Sequence, residues 1–548
     1  MGTRLWLDSY RRLQIPEELG AETYATVVDM LDDAATKHAD RVAFRSLGQS
    51  LTYAEVVRLS LYFCAWLQGV QKIRQGDRVG VMVPNLFAFP IAMLGIARAG
   101  AIQVNINPQY TARELRHQLR DSGCRLIVIF NGATPALAEV IADTDLESVV
   151  TVALGDCGSA RIDGPLADRR LASVSTPFSR ALSEGASLEP VKISPTADDV
   201  LFLQYTGGTT GVSKGAILTH RNLLASARQF KAVMTGATRQ GEERVVTAIP
   251  VYHIFALVVN FISYFSIGAE NWLVPDPRDL DALIAVFRQA RPSVFSGVNT
   301  LYAALAMHPG MRGIDFSNLR LAVGGGAAIL EATSSRWQAV TGTTIREGYG
   351  LSETSAVVAV NPMDVPGFTR TVGLPVPGTD VRLLDDDGRE VEPGSPGEIC
   401  VNGPQVMRGY WNQPEANAAA FTADRYFRTG DIGIFDERGF LKIVDRKKDM
   451  ILISGFNVYP NEVEEVATTC DGVAECACVG FPDEKTGEAV ALFVVKRPNA
   501  ELTAQDVLAH CRVALAAYKV PKDIRFVDSL PKSPVGKILR RDLKNLAG

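Results

Sequence analysis

The stretch Val200-Leu201-Phe202-Leu203-Gln204-Tyr205-Thr206-Gly207-Gly208-Thr209-Thr210-Gly211-Val212-Ser213-Lys214-Gly215 sets the architecture of the chain. Its first part, 200–205, is an apolar run of strand length. The second part packs four glycines, four threonine or serine hydroxyls and one lysine into a loop. Glycines let the backbone approach an anion and turn successive N–H groups toward it. The hydroxyls and the ammonium add donors and positive charge, so the segment reads as a strand followed by a triphosphate cradle. A P-loop of the form G-x-x-x-x-G-K-[ST] requires a hydroxyl after its lysine, and Lys214 is followed by Gly215. A different phosphate-binding design is expected.

Working outward, similar short apolar runs recur at 78–84, 101–107, 126–130, 245–249, 293–298 and 319–323, with helical periodicity between them, as over 87–99. Strands alternating with helices predict largely parallel sheets covered on both faces. Ligands of such sheets sit beyond the carboxyl ends of the strands. Between 158 and 197 the pattern thins into Ser, Ala, Asp and Gly, which reads as a surface excursion. After about 371 the turns Asp386-Asp387-Gly388, Pro393-Gly394 and Glu437-Arg438-Gly439 separate short alternating runs, the pattern of antiparallel hairpins. A last unit starts near Lys448, with a helix expected at 461–469, strands at 474–481 and 489–496, and a helix from 504 to about 517.

A chain of 548 residues exceeds one compact core, so about two to four units are expected. The 56 basic and 61 acidic side chains leave a net charge of -5 with no long basic tract, which argues against nucleic acid as a partner. Cys470, Cys476 and Cys478 lack the spacing and the nearby His of a zinc site and read as buried thiols. Scattered cysteines point to a reduced, cytoplasmic setting. The charge-free segment 245–269 is long enough to cross a bilayer, but it carries Pro250, Tyr252, His253, Asn260 and Ser263 and reads as a buried helix beside an apolar cavity. Leu5, Trp6 and Tyr10 form a weakly amphipathic start, which leaves peripheral contact with the inner face of a membrane open.

The run 205–215 resembles the phosphate loop of the adenylate-forming superfamily, which contains acyl-CoA synthetases, luciferases and adenylation domains. The similarity continues in order over roughly 51–541, nearly the whole chain. The phrases Pro250-Val251-Tyr252-His253-Ile254-Phe255-Ala256-Leu257 and Ser454-Gly455-Phe456-Asn457-Val458-Tyr459-Pro460 resemble bacterial long-chain fatty-acid–CoA ligases in particular. That resemblance implies an α/β fold: a large N-terminal domain, 1–447, of mainly parallel sheets with helices. A small distorted β-barrel over about 371–447 and a mobile C-terminal α+β lid domain, 448–548, complete it.

It also implies that a fatty acid and ATP form an acyl-adenylate and pyrophosphate, that CoA then takes the acyl group, and that Mg2+ assists. In the implied nucleotide site, Thr206, Gly207, Gly208, Thr209, Thr210, Gly211 and Lys214 hold phosphates. Gly325, Gly326 and Ala327 wall the adenine, on which Tyr349 stacks beside Gly350. Thr354 faces the α-phosphate, and Asp431 and Arg446 hold the ribose. Glu353 ligates the metal. Lys537, in Pro531-Lys532-Ser533-Pro534-Val535-Gly536-Lys537, is the adenylation lysine, and Thr206, Glu353 and His253 complete the catalytic set, His253 lying beside the reacting carboxylate. Lys448 is the hinge, and Gly455 and Phe456 meet CoA. Lys447 reads as a solvated linker residue. A homodimer stays open. The rival readings are an aryl–CoA ligase, a fatty acyl–AMP ligase and a degenerate fatty-acid-binding protein.

Overall fold

The computed structural model describes residues 4–206, 213–234, 236–454, 456–533 and 536–547. Two large sheets carry the first part of the chain. In the seven-stranded sheet, Ser175–Pro177, Ser148–Val152, Leu126–Phe130, Arg78–Met82, Ile102–Asn105 and Val200–Thr206 run parallel, and Lys214–Thr219 closes one edge antiparallel. The nine-stranded sheet is parallel through Val42–Ser46, Glu270–Leu273, Arg244–Thr247, Val294–Gly297, Leu321–Gly324 and Ile345–Tyr349, with antiparallel strands at both edges. Burial on both faces explains the near-continuous apolar strands: all four residues of Val294–Gly297 and of Leu321–Gly324 are inside.

Polar side chains lock the two sheets together. Asn85 donates to the carbonyls of Thr247 and Ile249 and accepts from Val251 N–H. A relay of buried amides runs from Gln103 Nε2 to Asn105 Oδ1 at 2.7 Å, from Asn105 Nδ2 to Gln204 Oε1 at 2.8 Å, and from Gln204 Nε2 to the Tyr252 carbonyl at 3.1 Å. It links strands of the first sheet to the loop that carries His253.

The charge-free segment begins in the strand Arg244–Thr247 and continues as an interior helix over 254–265, whose centre, Ala256–Ser263, is a π-helix with every residue buried. Such wide turns recur at functional sites. Among the described residues no helix is long and apolar enough to cross a membrane. Two expectations are corrected. Part of the supposed surface excursion is structural: Ser175–Pro177 adds an edge strand, and the helix Phe178–Gly185 buries Phe178 and Leu182 against Tyr53–Gly69. The N-terminal aromatics are not presented to a bilayer either. Trp6 stacks on Phe435 with ring centroids 5.3 Å apart, and the Tyr10 hydroxyl donates to the Pro375 carbonyl.

Downstream, Asp380–Leu384, Gly397–Asn402, Phe427–Phe435 and Leu441–Arg446 form a four-stranded antiparallel sheet. The C-terminal domain has a mostly antiparallel sheet of Phe456–Val458, Ile451–Ile453, Gly487–Lys496 and Val473–Asp483, with Asp523–Phe526 joining parallel to Gly487–Lys496. Pro460–Thr468, Ala504–Ala514 and Arg540–Ala547 are its helices. Cys476 and Cys478 lie buried in its longest strand, as expected of structural thiols.

Candidate active site

Strand ends from both large sheets converge with the antiparallel sheet and the C-terminal tail. Thr206 ends its strand opposite Lys214 across the ladder, so the two stems of the phosphate loop are held side by side. Residues 207–212 lie outside the described residues, and with them Gly207, Gly208, Thr209, Thr210 and Gly211. The helix Ala112–Ser122 grips both stems: the Tyr205 hydroxyl donates to Asp121 at 2.5 Å, and His117 Nε2 lies 2.9 Å from the Ser213 carbonyl oxygen.

Beyond Ile345–Tyr349 the chain makes a tight turn through Ser352–Thr354. Gly350 is required there, because a Cβ would stand 1.7 Å from the Ala356 carbonyl oxygen. The turn buries Glu353, whose Oε1 accepts from the Tyr410 hydroxyl at 2.8 Å. Burial holds the Glu353 carboxyl above the ordinary range, with Tyr410 pulling the other way. Lys214 Nζ sits over the Tyr410 ring, 5.3 Å from its centroid, so Tyr410 touches Lys214 with its face and Glu353 with its hydroxyl. Tyr410 was not a sequence candidate. It reaches the site only because 409–411 pairs with Lys214–Thr219, a contact that no local spacing encodes. Thr354 is fully buried, its hydroxyl accepting from Leu351 N–H and donating to the Leu351 carbonyl.

The Tyr349 hydroxyl donates to Asp431 Oδ2 at 2.6 Å, and Arg446 Nε lies 3.5 Å from Asp431 Oδ1. Asp431 and Arg446 face each other across neighbouring strands, so backbone pairing fixes their separation. Gly325 is buried, whereas Gly326 and Ala327 are exposed at the end of Leu321–Gly324.

Lys537 comes from far down the chain into the same place. Burial, then the charges of Arg446, Lys448 and Arg540, push its ammonium down to about 7, with Asp431 opposing. Ser533 and Lys537 are joined by two hydrogen bonds, and Gly536 stands at φ +76°. A Cβ on Gly536 would stand 2.6 Å from Thr300 Oγ1, so Gly536 lies directly on the large domain. His253 also senses Lys537: burial first, then that charge, lowers its imidazole to about 4, which leaves it neutral at pH 7. Its Nδ1 accepts from Phe255 N–H at 3.3 Å. Lys448 is exposed, with its ammonium lowered by burial and by Arg446.

Lys447 is not simply solvated. Its Nζ lies 2.7 Å from Asp386 and 3.4 Å from Glu398, which ties the linker to the antiparallel sheet. Gly455 lies outside the described residues, and Phe456 is 58% exposed with its ring 5.2 Å from that of Tyr518.

Among curated proteins, the long-chain-fatty-acid–CoA ligase of Salmonella typhimurium is 44% identical over 555 aligned residues, covering 99% of this chain and 98% of its own length. Among solved structures, ATP-bound MatB from Rhodopseudomonas palustris superposes with a TM-score of 0.84 at 29% identity, covering 95% of this chain and 98% of its own. Apo MatB, with the same identity and coverage, gives 0.73. Residues 31–411 match the profile of AMP-binding enzymes, and 462–537 match that of the AMP-binding enzyme C-terminal domain. A buried carboxylate joined through a tyrosine to a phosphate-loop lysine, a Tyr–Asp–Arg constellation and an incoming tail lysine thus stand in a chain that belongs to the AMP-binding enzyme family.

Proposed function

We propose that the chain is a long-chain fatty-acid–CoA ligase that works in two half-reactions at this one site. In the first, a carboxylate oxygen of the fatty acid attacks the α-phosphorus of ATP. A bond forms to phosphorus, the bond to the bridging oxygen breaks, and pyrophosphate leaves with the electron pair. In the second, the CoA sulfur attacks the acyl carbon, AMP leaves, and the thiol proton is released. The curated relative's name and the full-length identity support the choice of acid and thiol.

Bringing two anions together is the difficulty of the first step, and preorganised positive charge is the remedy. Lys537 supplies it at the reacting end, and Lys214 and the phosphate loop, with Thr206 at its stem, hold the triphosphate. Asp431 and Arg446 take the ribose, and Tyr349 and the small-residue wall Gly325–Ala327 flank the adenine, next to Gly350. The close approach of Gly536 to Thr300, which brings the next residue, Lys537, into the field of Arg446 and Asp431, is the single observation that carries this reading. Neutral His253 accepts on Nδ1 from Phe255 N–H, so its one ring proton is on Nε2 and can be donated to the carboxylate. It positions the carboxylate at the mouth of the apolar helix Ala256–Ser263, where each buried methylene of an acyl chain contributes about 0.8 kcal/mol. Thr354 shapes the turn from inside, since its hydroxyl is already bonded to backbone.

The residues fit a magnesium ion. Mg2+ takes carboxylate oxygens together with substrate phosphates, and Glu353 is a buried carboxylate with one side-chain donor, Tyr410, among the described residues. Bound there, the ion would neutralise phosphate charge, with Glu353 as its protein ligand.

The division at Lys448 into a large domain, 1–447, and a small one, 448–548, is supported by the interval between the two family matches. Two half-reactions need different groups at one centre, which a turn about Lys448 would exchange. The better superposition on ATP-bound than on apo MatB supports reading the present arrangement as the adenylating one. Gly455 and Phe456 would meet CoA after the turn. Any bilayer contact must use a surface other than the N-terminal helix. The test is palmitate-dependent AMP and pyrophosphate release with CoA present. Activity with 4-coumarate but not palmitate would favour the aryl–CoA ligase instead.

A further inference from the structure

Lys537 is the only proposed catalytic group that must be delivered across the hinge, so whatever fixes the small domain against the hinge sets its position. Arg540, three residues on, points back into that junction. Its Nη2 lies 2.8 Å from Glu464 Oε2 and donates to Asn461 Oδ1 at 2.6 Å, while Nη1 lies 3.6 Å from Asp445 and 3.8 Å from Asp449. Asp445 precedes the hinge residue Lys448, and Asp449, Asn461 and Glu464 follow it. Asp445 also accepts from Asn461 N–H at 2.8 Å, and Asn461 Nδ2 donates to the Val444 carbonyl at 3.1 Å. The Asp445 side chain is wholly buried, and those of Asp449, Glu464 and Arg540 are 16–17% exposed.

We propose that Arg540 is a positioning residue for adenylation: one guanidinium binds the Asp445 carboxylate on the large-domain side of the hinge to Asp449 and Glu464 on the other, and so holds Lys537 at the reacting centre. The inference rests on the proposed adenylating role of Lys537. Its physical basis is charge balance. Three carboxylates share one cation, and burial prevents water from screening them. Without Arg540, Glu464 and Asp449 repel Asp445 across the hinge, and the small domain is pushed from the orientation that presents Lys537. Transfer to CoA needs the other orientation and does not depend on this contact.

Purified full-length variants test this through two assays: palmitate-dependent ATP–pyrophosphate exchange, and thioester formation from supplied palmitoyl-AMP and CoA. Arg540→Met is expected to lower exchange about 100-fold with transfer held within about twofold, since a displacement near 1 Å is enough for such a loss. Adding Glu464→Gln removes one repelling charge and is expected to restore exchange by about tenfold, a coupling ordinary for contacting groups. A purely structural role would lower transfer together with exchange. Should Arg540→Met fail to fold, Asp445→Asn, which keeps shape and removes charge, is expected to reduce exchange and spare transfer. The proposal is overturned if both half-reactions fall together, if exchange is unchanged, or if Glu464→Gln brings no recovery. Absence of exchange in the unaltered protein with palmitate or any other acid would instead sink the ligase reading, and this inference with it.

Discussion

Binding of ATP at pH 8, with no acid present, is expected to draw nearly one proton from solution into the protein, and Lys537→Met is expected to abolish that uptake. Burial and the charges of Arg446, Lys448 and Arg540 push the Lys537 ammonium down to about 7. One pH unit above that value, about a tenth of the molecules carry the proton. A triphosphate beside the amine favours the charged form. If it returns the group to the ordinary lysine value, uptake approaches about 0.9 proton per ATP, and the full restoration corresponds to about 5 kcal/mol. The sign follows from linkage: affinity for ATP is flat below pH 7 and weakens about tenfold per pH unit above it, until the pKa of the complex is reached. For folding the direction is the reverse of a salt-bridged lysine. Because the folded value is depressed, burying this amine costs most below pH 7 and the cost fades as pH rises toward 10.5. Isothermal titration calorimetry in HEPES and in Tris at pH 8 measures the uptake from the difference in apparent heat. A wild-type slope near zero, or the same slope in Lys537→Met, would refute the placement of Lys537 beside the phosphates.

Further outcomes can be checked independently. Glu353→Gln is expected to lower pyrophosphate exchange at least about 100-fold, with the loss not recovered by raising Mg2+. Tyr410→Phe removes the donor that orients Glu353, and the Mg2+ concentration for half-maximal exchange should rise about tenfold, measured by metal titration. Gly350→Ala would drive a Cβ to 1.7 Å from the Ala356 carbonyl oxygen, so a clear fall in Tm or loss of soluble protein is expected in thermal unfolding. Trp337 is fully buried against Phe295 and Tyr302, and Trp337→Ala should cost about 3–5 kcal/mol in denaturant titration.

The parallel sheets were legible because their strands are apolar on both faces. Leu126–Phe130 matches its expected bounds, and Val200–Thr206 runs one residue longer. Ser175–Pro177 was not legible, since two half-buried residues and an exposed proline become a strand only by lying beside Ser148–Val152. Trp6 and Tyr10 looked like an amphipathic surface because their covering, Phe435 and Pro375, comes from more than 360 residues away. The same limit applies within the site. Glycine and threonine density marked the phosphate loop, and a resemblance supplied Glu353, Asp431, Arg446 and Lys537. Tyr410 and Arg540 act through partners that are distant in sequence, and Lys447 looked solvated because its partners come from elsewhere, Asp386 from a turn and Glu398 from another strand.

The amide relay from Gln103 to Tyr252 has a polarity. Each carboxamide passes its N–H forward, and Asn105 and Gln204 receive on their oxygens, so none can turn over alone without setting oxygen against oxygen. The arrangement therefore behaves as a single rigid gauge between the first sheet and the loop beneath His253. Asn105→Asp would replace the forward donor with a second acceptor and break the gauge at its middle link.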